Sequence, residues 1–474
     1  MLVQLLEFLG SLSEHQYAIP SVVFIVIYLV LRSWADGAKT DRDRNMHGRV
    51  VLLTGILTPI GAEVMDQLAR KGAQIIALVP SLEDPVIQEL IPAIRTTTNN
   101  QLIYAEECDL SSAKSIRQFC AKLIQPQPSM DGQGRPEPSR LDAVITMHEY
   151  PPNVPEVTIG SSPATSISAA LEAKHLRASA ATFLIYTLIL PSLLRAPSDR
   201  DIRFINVVNP LYAAAVPTFD PLPLAEKTVG SEGKDSKQTA PSPQSRVSRR
   251  RPLFTREGTR SLRSIIWGRH LQRVYDALRA AGEKSEQRGP LLDPTASGLS
   301  SVSSLYKGSN IISASVSPGY HSTYARELFA VSGVRRGIYR RVSSLVLQIV
   351  LTPFVFVFTK SARAASQTIL HTLFLPHPMK TQLISEDAPS SASSPSSAST
   401  TSKEPPILKP GRLYRDNLPI VLPGNAEGNL IEREDVGRAV WETYEAEVKK
   451  WEEEEKATET AEANGGNQKA QSAS

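Results

Sequence analysis

The sequence predicts an α/β fold, a doubly wound parallel sheet with helices on both faces, joined to an N-terminal membrane-anchor helix. Three observations predict it. Val50 to Leu53 is an apolar run too short for a helix and suited to a strand buried on both faces; Thr54-Gly55 ends it, and Ile60, Val64, Met65 and Leu68 follow at helical spacing. Short apolar runs then alternate with helical stripes along most of the chain, the signature of a parallel sheet with crossover helices. Ahead of all this, Tyr17 to Leu31 is apolar and uncharged.

Composition bounds the function. The chain has 474 residues, 41% of them hydrophobic, and a formal net charge of +4. That is enough apolar material for a large core, and no charge excess that would mark a nucleic-acid partner. Two cysteines, Cys108 and Cys120, supply neither a disulfide framework nor zinc-ligand spacing, and fit a reducing compartment. No His-x-x-x-His pair is present, so no metal site is expected.

The elements are expected in the following order. Residues 1–16 lead into an anchor at 17–34. Fifteen helical residues reach about 22 Å, short of a hydrocarbon core of roughly 30 Å. Arg32 can snorkel and Trp34 can lie at the interface to make up part of the deficit. Basic residues follow the anchor (Lys39, Arg42, Arg44, Arg49) whereas Glu7 and Glu14 precede it, which orients the domain to the cytosol. The expected partner is membrane lipid, with the endoplasmic reticulum or a lipid droplet ahead of the mitochondrial outer membrane. Residues 46–220 form the first part of the domain. Ala73 to Val79, Gln101 to Glu106, Leu141 to Thr146 and Arg203 to Val208 are its further strands. A helix over Ser112 to Ile124 opens on a serine cap, and a long helix covers Ala169 to Leu194.

Residues 221–260 read as a basic low-complexity insertion holding Arg246, Arg249, Arg250 and Arg251. It is either a solvated loop or, beside the anchor, a contact for anionic lipid. The second part of the domain, 261–383, opens with a helix over Ser261 to Ala281 and a strand over Ile311 to Val316. Its apolar stretch 345–359 reads as an interfacial helix or a buried core element. A Ser/Pro-rich disordered linker follows at 384–410, then a segment at 411–456 with a charged helix, and a disordered tail at 457–474.

The turn Thr54-Gly55-Ile-Leu-Thr-Pro59-Ile60-Gly61 resembles the Thr-Gly-x-x-x-Gly-Ile-Gly turn of the short-chain dehydrogenase/reductase family, with Pro59 at the middle glycine. Asp109-Leu110 is similar to that family's adenine-side Asp-Leu, and Pro318-Gly319 with Thr323 to its nicotinamide-side Pro-Gly-x-x-x-Thr. Ser361 to Leu373 and Gly411 to Asp416 are similar to retinol-dehydrogenase-like members. The resemblance runs from about Arg49 to Trp451, insertions excluded. It implies a Rossmann-type domain binding NAD or NADP through Thr54, Gly55, Ile60, Gly61, Asp109, Leu110, Pro318, Gly319 and Thr323. It also implies a lipophilic small molecule as ligand.

The catalytic part of the pattern departs. The family uses a Tyr with a Lys four residues on, a Ser and an Asn, because hydride transfer to a carbonyl needs a proton donor beside the developing alkoxide. No Tyr-x-x-x-Lys occurs in the chain. Alignment places Ile265 at the Tyr, Arg269 at the Lys, Asn209 at the Ser and Ala178 at the Asn; Met147-His148-Glu149 replaces the family's Asn-Ala-Gly. The expectation is a membrane-anchored pseudoenzyme, a scaffold or nucleotide-binding protein. The alternative is an NAD(P)-dependent oxidoreductase of lipophilic alcohols, aldehydes or ketones with a rearranged donor, for which Tyr212, Tyr275 and Tyr320 are candidates. Neither an acid nor a base marks the end of the second strand, Leu78-Val-Pro-Ser81, so NAD and NADP are not distinguished.

Overall fold

A computed structural model describes residues 18–125, 140–150, 164–197, 200–219, 253–286, 308–325, 355, 357–379, 407–422 and 432–472. The strands begin with β1 (Val50–Thr54), β2 (Gln74–Val79), β3 (Ile103–Glu107), β4 (Ala143–Thr146) and β5 (Ile202–Val207). It continues with β6 (Ile311–Ser317), β7 (Leu413–Arg415) and β8 (Leu418–Ile420). They form one sheet in the order β3-β2-β1-β4-β5-β6-β7-β8. Every neighbouring pair is parallel except β7 with β8. The order reverses between β1 and β4, where a parallel sheet opens a crevice at its carboxyl edge. β1, β4, β5 and β6 are buried along their whole length, as their uninterrupted apolar runs require.

The helices are α1 (Ala18–Asp36), α2 (Pro59–Arg70), α3 (Pro85–Thr98), α4 (Ala113–Ile124), α5 (Ala164–Leu193) and the short α6 (Tyr212–Ala215). After them come α7 (Leu253–Glu286), α8 (Ala362–Phe374) and α9 (Glu434–Ser472). The expected serine cap is present: the Ser112 hydroxyl accepts from the Ser115 N–H. One layer of core joins α2, α3 and α8 to the sheet, and the other joins α4, α5, α7 and α9. In the second layer Phe183 lies 5.0 Å from Trp441 and 5.8 Å from Trp267 between ring centroids. α9 is tied down by Glu455, whose carboxylate caps α4 by accepting from the Ala113 and Lys114 N–H groups at 2.8 and 3.1 Å.

Two boundaries differ from expectation. α7 begins at Leu253, inside the stretch 221–260 read as an insertion, because Glu257 and Arg260 are buried against the sheet rather than solvated. Gly258 in that first part is not a breaker: a Cβ there would lie 2.3 Å from the Leu211 carbonyl oxygen, so glycine is what lets α7 approach. α9 continues through the expected disordered tail to Ser472, its Ala, Glu and Gln content propagating the helix past Gly465 and Gly466. The linker 384–406, the basic run Arg246 to Arg251 and most of the apolar stretch 345–359 lie outside the described residues.

Two helices bear on the membrane question. Among the described residues, the window Leu176–Leu193 of α5 is long and apolar enough to cross a bilayer, yet 56% of it is buried. It packs between α4 and α9 and is a core helix. α1 is different: Phe24 is 71% exposed, Val30 62% and Trp34 75%, while its last turn is bonded to the domain. There Arg32 donates to the Thr359 carbonyl, and Asp36 accepts from the N–H and the hydroxyl of Ser361, each at 3.0 Å.

Candidate active site

The carboxyl ends of β1, β4, β5 and β6 lie side by side at one edge of the sheet, and each element presents its residues there for a local reason. At the end of β1, Gly55 has φ +74°, and a Cβ on it would lie 2.8 Å from the His148 nitrogen. The turn thus needs glycine both for its backbone and for the approach of the β4 loop. Gly61 is equally confined, its added Cβ meeting the Gly55 carbonyl oxygen at 2.3 Å. Thr58 caps α2: its hydroxyl donates to the Gly55 carbonyl at 2.8 Å and accepts from the Gly61 N–H at 3.1 Å. Pro59 has no N–H, and Ala62 already bonds to the Thr58 carbonyl. By position in the first helical turn, the Ile60 N–H is the donor left for a ligand. Asp109, after β3, is held in a turn by Ser111, whose N–H and hydroxyl both donate to its Oδ1, at 2.8 and 2.7 Å. Leu110 beside it is half-buried against the core.

Past β6, Gly319 adopts φ +91° and stands under the aliphatic part of Lys360. The Tyr150 hydroxyl donates to the Gly319 carbonyl at 2.7 Å and accepts from the His321 N–H at 3.0 Å. His321 Nδ1 in turn accepts from the Thr323 N–H at 3.2 Å. Pro318 is buried and Thr323 half-buried, so the segment is a fixed wall rather than a loose loop.

The floor between these two ends is a continuous buried polar network. Asn209, fully buried after β5, donates through Nδ2 to Glu257 Oε2 at 3.1 Å. Arg260 donates to the same Oε2 at 2.9 Å and to the Glu149 carbonyl oxygen at 2.8 Å. The Glu149 carboxyl accepts from the hydroxyls of Thr182 at 2.5 Å, Ser179 at 3.1 Å and Ser264 at 3.0 Å. Ser264 accepts from Asn206, and Asn206 from Thr146, which is 2.9 Å from the Tyr186 hydroxyl. Despite the attraction of Glu149, burial holds the His148 imidazole below its usual range, so it is neutral. Its tautomer follows from its neighbours. Nε2 faces the Ala178 carbonyl at 3.0 Å and must carry the proton, leaving Nδ1 to accept from the Thr54 hydroxyl at 2.8 Å.

This geometry sorts the expected catalytic positions. Asn209 and Ala178 do lie at the crevice, Ala178 through its backbone. Ile265 and Arg269 do not face Asn209. Ile265 packs with Val208, Tyr212 and Leu413, and Arg269 pairs with Glu432 at 2.8 Å. The α7 residue opposite Asn209 is Glu257, two turns earlier, and the residue four further on is Ser261. The difference arises because α7 approaches the segment after β5 most closely at Gly258, 2.3 Å from the Leu211 carbonyl oxygen for an added Cβ, which sets the neighbouring Glu257 against Asn209. Glu257, Arg260 and Glu149 are the site residues sequence reasoning missed. The available signal was Glu257-Gly258-x-Arg260, a charged i,i+3 pair around a glycine directly ahead of an apolar helical stripe. Of the alternative tyrosines, Tyr275 is buried 5.8 Å from Phe204 between ring centroids, its hydroxyl pushed well above the usual range by burial. Tyr212 is bonded to Arg415, and Tyr320 is 41% exposed.

Chemically the network can hold charge and position a backbone, but its central carboxylate oxygen receives N–H donors from both sides. Among the described residues, no group of His, Cys, Asp and Glu could hold a metal ion. Burial pushes the thiols of Cys108 and Cys120 up to about 12, so neither is a nucleophile at neutral pH. A thiol-titrating disulfide reagent is expected to find no reactive cysteine in the folded protein and both after denaturation; rapid reaction of either in the native state would contradict their burial.

No family model matches the chain. It is 32% identical over 200 residues to an uncharacterized oxidoreductase of Saccharomyces cerevisiae, YNL181W, covering 39% of this chain and 46% of that one. It is 42% identical over 95 residues to the uncharacterized oxidoreductase pbr1 of Schizosaccharomyces pombe, covering 20% and 25%. Human retinol dehydrogenase 13 is 32% identical over 103 residues, covering 22% and 30%. The matches thus span less than half the length of these relatives. Among solved structures, a short-chain dehydrogenase of Shigella flexneri superposes with a TM-score of 0.33 at 14% identity, covering 69% of this chain and 91% of that one. The glycine turn and strand order described above resemble those of short-chain dehydrogenases/reductases, and over these partial stretches the chain is similar to curated oxidoreductases, retinol dehydrogenases among them.

Proposed function

We propose that this protein is a membrane-anchored, reductase-fold scaffold that binds a nicotinamide dinucleotide without turning it over. The observation that carries the reading is the buried contact of Asn209 with Glu257, whose same carboxylate oxygen also accepts from Arg260. Where the fold's chemistry requires a hydroxyl able to give a proton to an alkoxide, the helix presents a carboxylate oxygen already receiving two N–H donors. An acceptor in that position cannot stabilise developing negative charge. The printed names of the relatives favour the alternative, a working oxidoreductase of a lipophilic alcohol or carbonyl. The side chains at the crevice oppose it.

The residues at the β1 and β3 ends suit the adenosine and pyrophosphate of NAD or NADP. Gly55 and Gly61 keep the turn low, the α2 N-terminus offers the Ile60 N–H and its partial positive charge, and Asp109 is presented by its own turn. Pro59 removes one donor. Pro318, Gly319 and Thr323 form the opposite wall. Attachment to the membrane is supported by the exposed apolar surface of α1. The basic residues after α1 favour a cytosol-facing domain, and an endoplasmic-reticulum or lipid-droplet surface suits a short anchor.

Calorimetry on the full-length protein in detergent micelles tests the reading. Saturable heat with NADH or NADPH, and no oxidation of either when a retinal-like aldehyde is added, is the expected result. Absence of binding would remove the nucleotide part of the proposal. Aldehyde reduction at an ordinary enzymatic rate would overturn the scaffold.

A further inference from the structure

We propose that the carboxyl edge of the sheet beside α1, and not α1 alone, rests on the lipid bilayer, so that the nicotinamide-side wall of the crevice opens toward lipid. The proposal rests on the anchor reading above and adds a second, peripheral contact with a fixed orientation.

The first observation is how α1 is joined to the domain. Its last turn is pinned at two points, Arg32 to the Thr359 carbonyl and Asp36 to the N-terminal cap of α8 at Ser361, and just past it the Ala38 carbonyl accepts from Asn417 Nδ2 at 3.2 Å. Thr359 and Ser361 flank Lys360, which pairs with Asp416 and whose N–H donates to the Tyr320 carbonyl at 2.7 Å. All these points lie at the end of the sheet where β6 and β7 finish. A helix held this way delivers the domain to the membrane at one chosen edge.

The second observation is independent of α1. Large apolar side chains are exposed at the same edge. Tyr320 (41%) follows β6, Phe358 (52%) precedes Lys360, whose N–H is bonded to Tyr320, and Leu418 (67%) opens β8 opposite Arg415. They come from three separate segments. Aromatic rings enriched at one face suit the headgroup level of a bilayer. Arg415 on the same edge, its side chain 42% exposed, can reach lipid phosphates while its stem stays among the apolar groups. A bilayer is the occupant these features favour, because continuity with the apolar α1 leaves the edge no path away from the lipid surface. Leu278, exposed at the opposite edge beyond the start of β6, has no such neighbours in α1 and serves as the internal reference.

The test uses the full-length protein reconstituted in phosphatidylcholine–phosphatidylserine vesicles. Single variants Tyr320→Cys, Phe358→Cys, Leu418→Cys and Leu278→Cys are labelled with a polarity-sensitive fluorophore; the native thiols are buried. Lipids spin-labelled near the headgroup are then added as quenchers. Quenching several-fold stronger at positions 320, 358 and 418 than at 278 is expected. Vesicle flotation reads the anchor separately. Protein that floats but quenches equally weakly at all four positions would overturn the docked edge while leaving the anchor intact. Protein that does not float would overturn both. Folding of each variant is checked by its circular dichroism, and two of the three edge positions agreeing suffices to decide.

Discussion

Purified protein given NADH or NADPH and a lipophilic aldehyde is expected to show no turnover above background, and the repair that first produces activity should be centred on Glu257. General acid–base catalysis contributes about 10²–10⁴-fold, and one oxyanion donor roughly 10²–10³-fold. Losing both lowers an ordinary turnover of about 10 per second by roughly 10⁴–10⁷-fold, below what cofactor absorbance detects. The structure sets Glu257 opposite Asn209 and Ser261 one turn on. The combined variant Ala178→Asn, Asn209→Ser, Glu257→Tyr, Ser261→Lys should therefore yield measurable reduction. Arg260→Ser is added so that no cation is left without its carboxylate. The corresponding set built on Ile265→Tyr and Arg269→Lys should remain silent, because Ile265 faces Val208 and Leu413, and Arg269 is engaged by Glu432. Activity in the second set and not the first, read as cofactor oxidation by absorbance, would invalidate the assignment of Glu257.

Replacing Arg260 by methionine should destabilise the domain by about 3–5 kcal/mol, the usual cost of removing one partner from a buried ion pair. Arg260 is 7% exposed and Glu257 1%, and the guanidinium also holds the Glu149 carbonyl. Its loss strands both a carboxylate and a backbone acceptor in the core. Adding Glu257→Gln should recover a large part of the loss, since the amide removes the stranded charge and keeps the shape. Urea unfolding followed by tryptophan fluorescence reads both variants. A neutral Arg260→Met would mean that the network is solvated and is not what fills the crevice.

Lys360 lies between the contacts of α1 and the wall formed by Gly319. It covers Gly319, pairs with Asp416 and belongs to the same short segment that receives Arg32 and Asp36. The attachment of α1 is thereby mechanically continuous with the wall of the crevice, while the charged network lies deeper, between β4, β5 and α7.

The parallel sheet was legible in the sequence by itself, since uninterrupted apolar runs such as Val50 to Leu53 have few other uses and the intervening helical stripes dictate crossovers. The glycine turn was legible for the same local reason: Gly55 and Gly61 are demanded within one turn. Helix ends and facing residues were not. The sequence around Glu257 and Arg260 reads as solvent-exposed charge, and only the approach of Gly258 to Leu211 brings that turn against Asn209. Likewise the apolar stretch Leu176–Leu193 has the composition of a membrane span, and its packing against α4 and α9 makes it core. Periodicity reports which residues prefer burial, but a buried charge is stable only where a partner waits for it, and that partner lies more than a hundred residues away for Arg260 and Glu149.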